Sequence, residues 1–329
     1  MKLARLGSMQ NRIIIIALTG FMMLTGYLGL NTYQNSGLPW RINNDLLNIF
    51  TSQLAWNAPN SGLCMNQFQI NPCLQSLPKP TVLLLGDSHA NSLYPGLVNA
   101  FPKSGFLNIG ICGAFLDVAS RLAEHDFGNN GCQMNASILE NIRAIESLSS
   151  IKTVLITGLW RSSVDGEILT PKEKKYFGSL KHYSLRENEQ GLSNRELIWA
   201  GLSRTINAIL SQKKQIIFLR DVPVLPKDIR DLCVDRLSGK DKVLINCMLD
   251  KDRILKDRAS EDWLVQKIQD AYPQVLIYDP LTNSELCSNS ACFAAKDGIP
   301  FYRDQHHLSM AGSNVVGRDF KKQYDLLIN

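Results

Sequence analysis

Five short apolar runs alternate along this chain with segments of helical periodicity. The runs at 81–85, 106–109, 151–157, 215–219 and 274–278 have the length and continuity of strands buried on both faces. Between and after them, near 92–100, 135–149, 193–212, 258–271 and 309–327, apolar residues recur at helical spacing. Strands alternating with helices predict a five-stranded parallel sheet covered on both faces and joined by right-handed crossovers. The polar stretches 161–192 and 222–257 have no clear period and read as charged, exposed insertions, either of which is a candidate to face substrate. Residues 31–80 are also weakly periodic and rich in Asn, Ser, Pro and Gln.

A different pattern opens the chain. Ile13 to Leu30 carries no charge, and the next charged residue is Arg41. That run is long enough to cross a bilayer as a helix, which needs about 20 residues. A cleaved signal peptide has a shorter apolar centre and a small-x-small site, which Leu28-Gly29-Leu30-Asn31-Thr32 does not supply. A retained anchor is therefore expected, with a cytoplasmic N-terminus at 1–12, a transmembrane helix at 13–33, a juxtamembrane extension at 34–80 and the α/β domain at 81–329. Lys2, Arg5 and Arg12 ahead of the span predict export of the body. Trp40 and Arg41 suit the membrane interface. The expected location is the inner membrane, single-pass, with the domain in the periplasm.

Charge and cysteines sharpen this picture. The net charge is +5, three of the positive residues precede the span, and no basic stripe with interleaved aromatics is present, so nucleic acid is not an expected partner. The eight cysteines fall into near neighbours, Cys64/Cys73, Cys112/Cys132, Cys233/Cys247 and Cys287/Cys292. Eight cysteines allow 105 pairings, of which this one closes the shortest loops. Closely spaced Cys-x2-Cys pairs are lacking, so disulfides in an oxidising compartment are expected rather than zinc. The histidines at 89, 125, 182, 306 and 307 show no ligand spacing, and neither a metal nor a cofactor is expected.

Chemistry concentrates in two segments. Thr81-Val82-Leu83-Leu84-Leu85 runs directly into Gly86-Asp87-Ser88-His89-Ala90, and far away Asp304 and His307 stand three apart in Tyr302-Arg303-Asp304-Gln305-His306-His307-Leu308-Ser309. In an open parallel sheet ligands gather beyond the carboxyl ends of the strands. Ser88 would stand there as a nucleophile, His307 as its base and Asp304 as the carboxylate that orients the base. His306 is expected to face solvent. The competing reading makes Ser88 a helix cap and Asp304 with Ser309 the polar start of the last helix.

With those residues in place, Gly86-Asp87-Ser88-His89-Ala90 and Asp304-x-x-His307-Leu308-Ser309 resemble the SGNH (GDSL-like) hydrolase superfamily. More narrowly they resemble the SGNH domain fused to family 3 membrane acyltransferases, which O-acetylate surface polysaccharides such as lipopolysaccharide O-antigen. The resemblance extends over roughly 35–329 and includes Gly37-Leu38-Pro39-Trp40-Arg41, Asp221-Val222-Pro223 and Cys287…Cys292. It implies a three-layer, flavodoxin-like α/β/α fold with Ser88, His307 and Asp304 in the roles above. Its oxyanion hole implies the Ser88 peptide and a second-block glycine, here Gly110 or Gly113.

Two features depart from the superfamily. The third strand ends Thr157-Gly158-Leu159-Trp160-Arg161 and lacks the usual Asn donor, whose loss in a serine hydrolase costs about 10²–10³ in rate. Slow hydrolysis, or transfer assisted by a partner, is the expectation, and Arg161 is expected as an exposed surface residue rather than a charge supplied there. The fused family also carries many membrane spans, against one here. The resemblance thus implies a glycan O-acyltransferase fed by a multi-span membrane subunit. A carbohydrate esterase with the same triad and a non-catalytic membrane-tethered module are the alternatives.

Overall fold

The computed structural model describes residues 2–34, 64, 68, 70, 73–122, 132, 135–168, 170–178, 180–235 and 242–328. Trp40, Arg41, His125 and most of the extension at 34–80 lie outside the described residues. The chain forms two compact units, residues 1–47 with 235–242 and residues 48–234 with 243–329.

In the first unit, α1 (Lys2–Gln34) is one continuous helix. Its part Asn11–Gln34 has a mean hydropathy of 2.1, which brackets the span expected at 13–33. The hydroxyls of Thr25 and Thr32 donate back to the carbonyls of Phe21 and Leu28, at 3.0 and 2.7 Å. Polar side chains satisfied within the helix are what a hydrocarbon surrounding demands. Among the described residues this is the one such span, and its place ahead of a disulfide-bonded body suits a single-pass membrane protein with an extracytoplasmic domain.

The second unit is built on a six-stranded sheet. Its strands are β1 (Cys73–Gln75), β2 (Val82–Leu85), β3 (Phe106–Ile109), β5 (Thr153–Ile156), β7 (Gln215–Leu219) and β9 (Leu276–Tyr278), in the spatial order β1-β3-β2-β5-β7-β9. All neighbours are parallel except β1, which runs antiparallel to β3. The five parallel strands are those expected, in flavodoxin-like order. The sixth comes from the stretch read as extension: Cys73–Gln75 is a fully buried edge strand, and Cys64 bonds to Cys73. Three residues are too few to show a period, so the sequence pattern does not reveal it.

Alternate residues of the strands face opposite layers. Leu83, Leu85, Leu107, Ile109, Val154, Ile156, Ile216 and Phe218 join one core cluster with helices α3 (Ala136–Ser147), α6 (Asn194–Ser211) and α7 (Ala259–Ala271). The other face is covered by α2 (Ser88–Ala100) and α8 (Met310–Ile328), where Phe101, Phe106, Phe320 and Tyr278 meet ring against ring. A capping box between Ser193 and Glu196 starts α6, as that spacing dictates.

The two insertions fold rather than loop out. Residues 161–192 carry most of α4 (Trp160–Asp165), α5 (Pro171–Phe177) and β6 (Leu180–Ser184), and β6 pairs antiparallel with β4 (Val118–Leu122). Residues 222–257 include β8 (Asn246–Asp250), which pairs with β10 (Ala291–Lys296), itself paired with β11 (Ile299–Pro300). The remaining disulfides are Cys112–Cys132, Cys233–Cys247 and Cys287–Cys292, so the described cysteines pair with their nearest neighbours in sequence.

Helices α2 and α8 lie backbone to backbone. A Cβ on Gly96 would sit 1.9 Å from the Ser313 carbonyl oxygen, and one on Gly317 would sit 2.2 Å from the Gly96 carbonyl oxygen. Ser313 uses the closeness: its hydroxyl accepts from the Gly96 N–H at 2.8 Å and donates to the Leu93 carbonyl at 3.1 Å. Lys321 donates to the Ala100 carbonyl at 2.9 Å, at the C-terminal end of α2. Gly317→Ala should force the helices apart and cost roughly 1–3 kcal/mol or more, as overpacked cores do. Urea unfolding of the variant measures it, and an unchanged midpoint would contradict this packing.

Candidate active site

The turn after β2 is locked from both sides. Gly86 passes so close to β5 that a Cβ there would lie 2.1 Å from the Thr157 carbonyl oxygen, leaving room for glycine alone. Asp87 is extended and caps α2: one carboxylate oxygen accepts from the His89 N–H at 2.9 Å. The other accepts from the Leu159 N–H at 2.8 Å, tying the turn to the end of β5. Ser88 is then the first residue of α2, partly exposed beyond the carboxyl edge of the sheet. This is the point where the strand order reverses, the place an open α/β sheet offers a ligand.

The second segment is a closed turn ahead of α8. Tyr302 and Leu308 form a bridge, and the Arg303 N–H donates to the His307 carbonyl at 2.9 Å. One oxygen of Asp304 accepts from the backbone N–H groups of His306 and His307, at 3.0 and 2.9 Å. Its other oxygen is thereby aimed at the ring, accepting from His307 Nδ1 at 2.8 Å. His307 Nε2 then faces Ser88 Oγ at 2.7 Å. The three residues singled out in the sequence thus form one line of hydrogen bonds across 219 positions of chain. Such a line can take the hydroxyl proton as Ser88 attacks and return it to a leaving oxygen.

The electrostatics agree with a neutral base beside an anion. Burial pushes the His307 imidazole below its ordinary value, and the neighbouring imidazoles His306 and His89 push it further, against the pull of Asp304. Burial alone would raise Asp304, but the hydrogen bond from His307 and the imidazoles nearby hold its carboxyl well below the usual range.

Of the two glycines named for the oxyanion hole, the strand register favours one. Leu84 pairs with Asn108, so Gly110 follows β3 beside the Gly86-Asp87-Ser88 turn, in a left-handed conformation with φ +81°. Gly113 is three residues further along, with the Phe115 ring against its α-carbon. Arg161 is half-exposed and 3.4 Å from Asp257, in an ion pair rather than free.

His306 corrects the sequence reading. It is not solvent-facing but buried, 4% exposed, and its ring lies nearly parallel to that of His89 with centroids 5.2 Å apart. Asp221 Oδ1, His89, His306 and Glu173 Oε1 form a second line of hydrogen bonds, at 2.7, 2.9 and 2.8 Å. Glu261, itself held by Arg258 at 2.5 Å, accepts from the Asp221 N–H at 2.6 Å and fixes that end. One ring nitrogen from each of His89, His306 and His307 lies within 4.8 Å of the others. All six nitrogens of these rings already face a carboxylate, a hydroxyl or another imidazole.

Sequence reasoning missed His89, Asp221, Glu173 and the second role of Asp87. Asp221 carries a usable signal, since it follows β7 at the carboxyl edge of the sheet. Glu173 carries none, because it arrives from an insertion without a period.

A doubly wound parallel sheet with a serine, an imidazole and a carboxylate in line beyond its carboxyl edge is the arrangement of an acyl-transfer or ester-hydrolysing enzyme. The chain matches the SGNH domain (fused to AT3 domains) over residues 59–322 and belongs to that family. No curated protein matches it in sequence. Among solved structures it is similar to the periplasmic domain of the Salmonella ser. Paratyphi A lipopolysaccharide acetyltransferase, with 15% identity and a TM-score of 0.46, covering 75% of this chain and 84% of that one. It is also similar to the C-terminal catalytic domain of Streptococcus pneumoniae peptidoglycan O-acetyltransferase A, with 12% identity and a TM-score of 0.31, covering 75% and 93%. A putative acylhydrolase from Bacteroides fragilis shows 11% identity and a TM-score of 0.38, covering 77% and 92%.

Because the base must be neutral, reactivity of Ser88 toward a fluorophosphonate should persist below pH 6.5 and fall only as pH drops through the lowered value of His307. Asp304→Asn should cut that reactivity by about 10⁴ at neutral pH by releasing the wrong tautomer of His307. Labelling rates read against pH check both; a midpoint above 6.5 in the parent protein would contradict the first.

Proposed function

We propose that this protein is an O-acyltransferase, acetyl being the expected group, acting on an extracytoplasmic glycan such as lipopolysaccharide O-antigen. The observation that carries the reading is the hydrogen-bonded line Ser88–His307–Asp304, in a chain of the SGNH family that is fused to AT3 domains. Ser88 Oγ attacks the acyl carbonyl while His307 Nε2 takes its proton, and the imidazolium returns that proton to the departing oxygen. The acyl group then rests on Ser88 as an ester. A sugar hydroxyl, deprotonated by His307, attacks that ester, and Ser88 leaves with the proton.

The Ser88 peptide N–H, at the start of α2, and the Gly110 peptide are the donors we assign to the oxyanion, with Gly113 further off. The third strand offers no Asn, and the Leu159 N–H is turned toward Asp87. A hole short of one donor slows every step through a tetrahedral oxyanion, so transfer in this reading relies on assistance from a partner. The donor is taken to be a multi-span membrane acyltransferase subunit that brings acyl groups across the inner membrane, to which α1 tethers this domain.

The test is acetylation of the glycan with the parent protein and with Ser88→Ala. The variant should fold and give no product, and retained acetylation would overturn the reading. With the purified protein and an aryl acetate, product should depend on added sugar acceptor. Turnover at the same rate without acceptor would instead make it an esterase, and a folded parent protein whose Ser88 never takes a fluorophosphonate would make it a non-catalytic module.

A further inference from the structure

The line Asp221–His89–His306–Glu173 is not used by the reaction just described, and its hydrogen bonds allow its protons to be counted. The two outer ring nitrogens, His89 Nδ1 and His306 Nε2, each face a carboxylate oxygen. A carboxylate only accepts, so each of these nitrogens carries a proton. The two inner nitrogens, His89 Nε2 and His306 Nδ1, face each other at 2.9 Å. One proton between them makes a hydrogen bond; two would collide, and none would set lone pair against lone pair. The pair therefore holds three protons where two neutral imidazoles hold two.

We propose that His89 and His306 share one buried positive charge, clamped between Asp221 and Glu173, whose role is to keep His307 an unprotonated base in mildly acidic surroundings. The role rests on the reading of His307 as the base of Ser88; the charge itself does not. Both imidazoles are nearly sealed from solvent, at 3% and 5% exposure, so the charge is felt at short range with little screening. Their ring centroids lie 5.1 and 4.1 Å from that of His307.

Titratable and charged groups from several elements surround this pair, with Asp221 and Glu173 in direct contact. From α2 come His89 and Asp87, from the loop after β7 comes Asp221, and from α5 comes Glu173. The turn before α8 brings Tyr302, Arg303, Asp304, His306 and His307, while Arg258 and Glu261 lie behind Asp221. Burial would lower His89, but Asp221 at its Nδ1 pushes it up to about 9. Burial would raise Glu173, but the hydrogen bond and charge of His306 hold it down. Both directions agree with a cation between two anions. A less basic His307 also makes a better proton donor to the leaving oxygen once it has been charged. His89 and His306 are thus positioning residues, acting through His307 rather than on substrate.

The full-length protein in detergent, with ¹⁵N-labelled histidine rings, gives the test, since the chain has only 5 histidines. At pH 7 the rings of His89 and His306 should together show three bound protons; two would overturn the proposal. His306→Leu removes the ring nearest to His307 together with its share of the charge. The midpoint of His307 should then rise by about one pH unit. Normalised to its own alkaline plateau, fluorophosphonate labelling of Ser88 should be about tenfold slower on the acid side. A His307 midpoint that stays put, or a profile that falls uniformly without shifting, would overturn the proposal. Should that variant not fold, Glu173→Gln at the outer, part-exposed end should let the pair lose its third proton at lower pH, and an unchanged titration would count as refutation. If Ser88 of the parent takes no label while the rings show the charge and its effect on His307, the enzymatic reading fails and the charge assignment stands.

Discussion

Gly96 and Gly317 let α2 and α8 touch backbone to backbone, and the rest of the site depends on that contact. Ser88 begins α2, and His307 stands just ahead of α8. Because the helices meet without side chains between them, the ends that carry the chemistry come within a single hydrogen bond. Ser313 uses the same closeness to bridge Gly96 and Leu93, so the contact is polar as well as steric.

Two aspartates then act in the same way at the two segments. Asp87 gives one oxygen to the backbone of its own helix and the other to the Leu159 peptide, fixing the serine turn against β5. Asp304 gives one oxygen to the backbone of its own turn and the other to the His307 ring. In each case a short carboxylate satisfies local N–H groups and uses its remaining oxygen over a longer distance. Behind them Arg258, Glu261 and Asp221 form a ladder of alternating charge that ends on His89. Buried charges persist only where each has a partner, and in this ladder each described member has one.

These parts serve a chain that combines an N-terminal apolar helix long enough to cross a membrane with an SGNH body cross-linked by disulfides. Family membership supplies the chemical class. Membership of a family fused to AT3 domains is what inclines our reading toward transfer over hydrolysis. The insertion 161–192 is drawn into the same site, for Glu173 closes the outer end of the imidazole line.

Patterns repeated along the chain were legible before folding. The parallel strands at 82–85, 106–109, 153–156, 215–219 and 276–278 fall within or match the apolar runs, because a strand buried on both faces is apolar along nearly its whole length. The span was legible for the same reason, and the cysteine pairs because short loops close most readily. The Asp304-x-x-His307 turn was legible because its geometry is local. The edge strand Cys73–Gln75, the folded insertions and the burial of His306 were not. A three-residue strand has no period, and the insertions take their order from partners far away in sequence. His306 and His307 are neighbours of the same type, so only the packing of α2 and α5 against them decides that one ring faces Ser88 and the other is buried against His89. Local periodicity fixes which residues must leave water, while the pairing of distant polar groups is decided only when tertiary contacts bring them within hydrogen-bond reach.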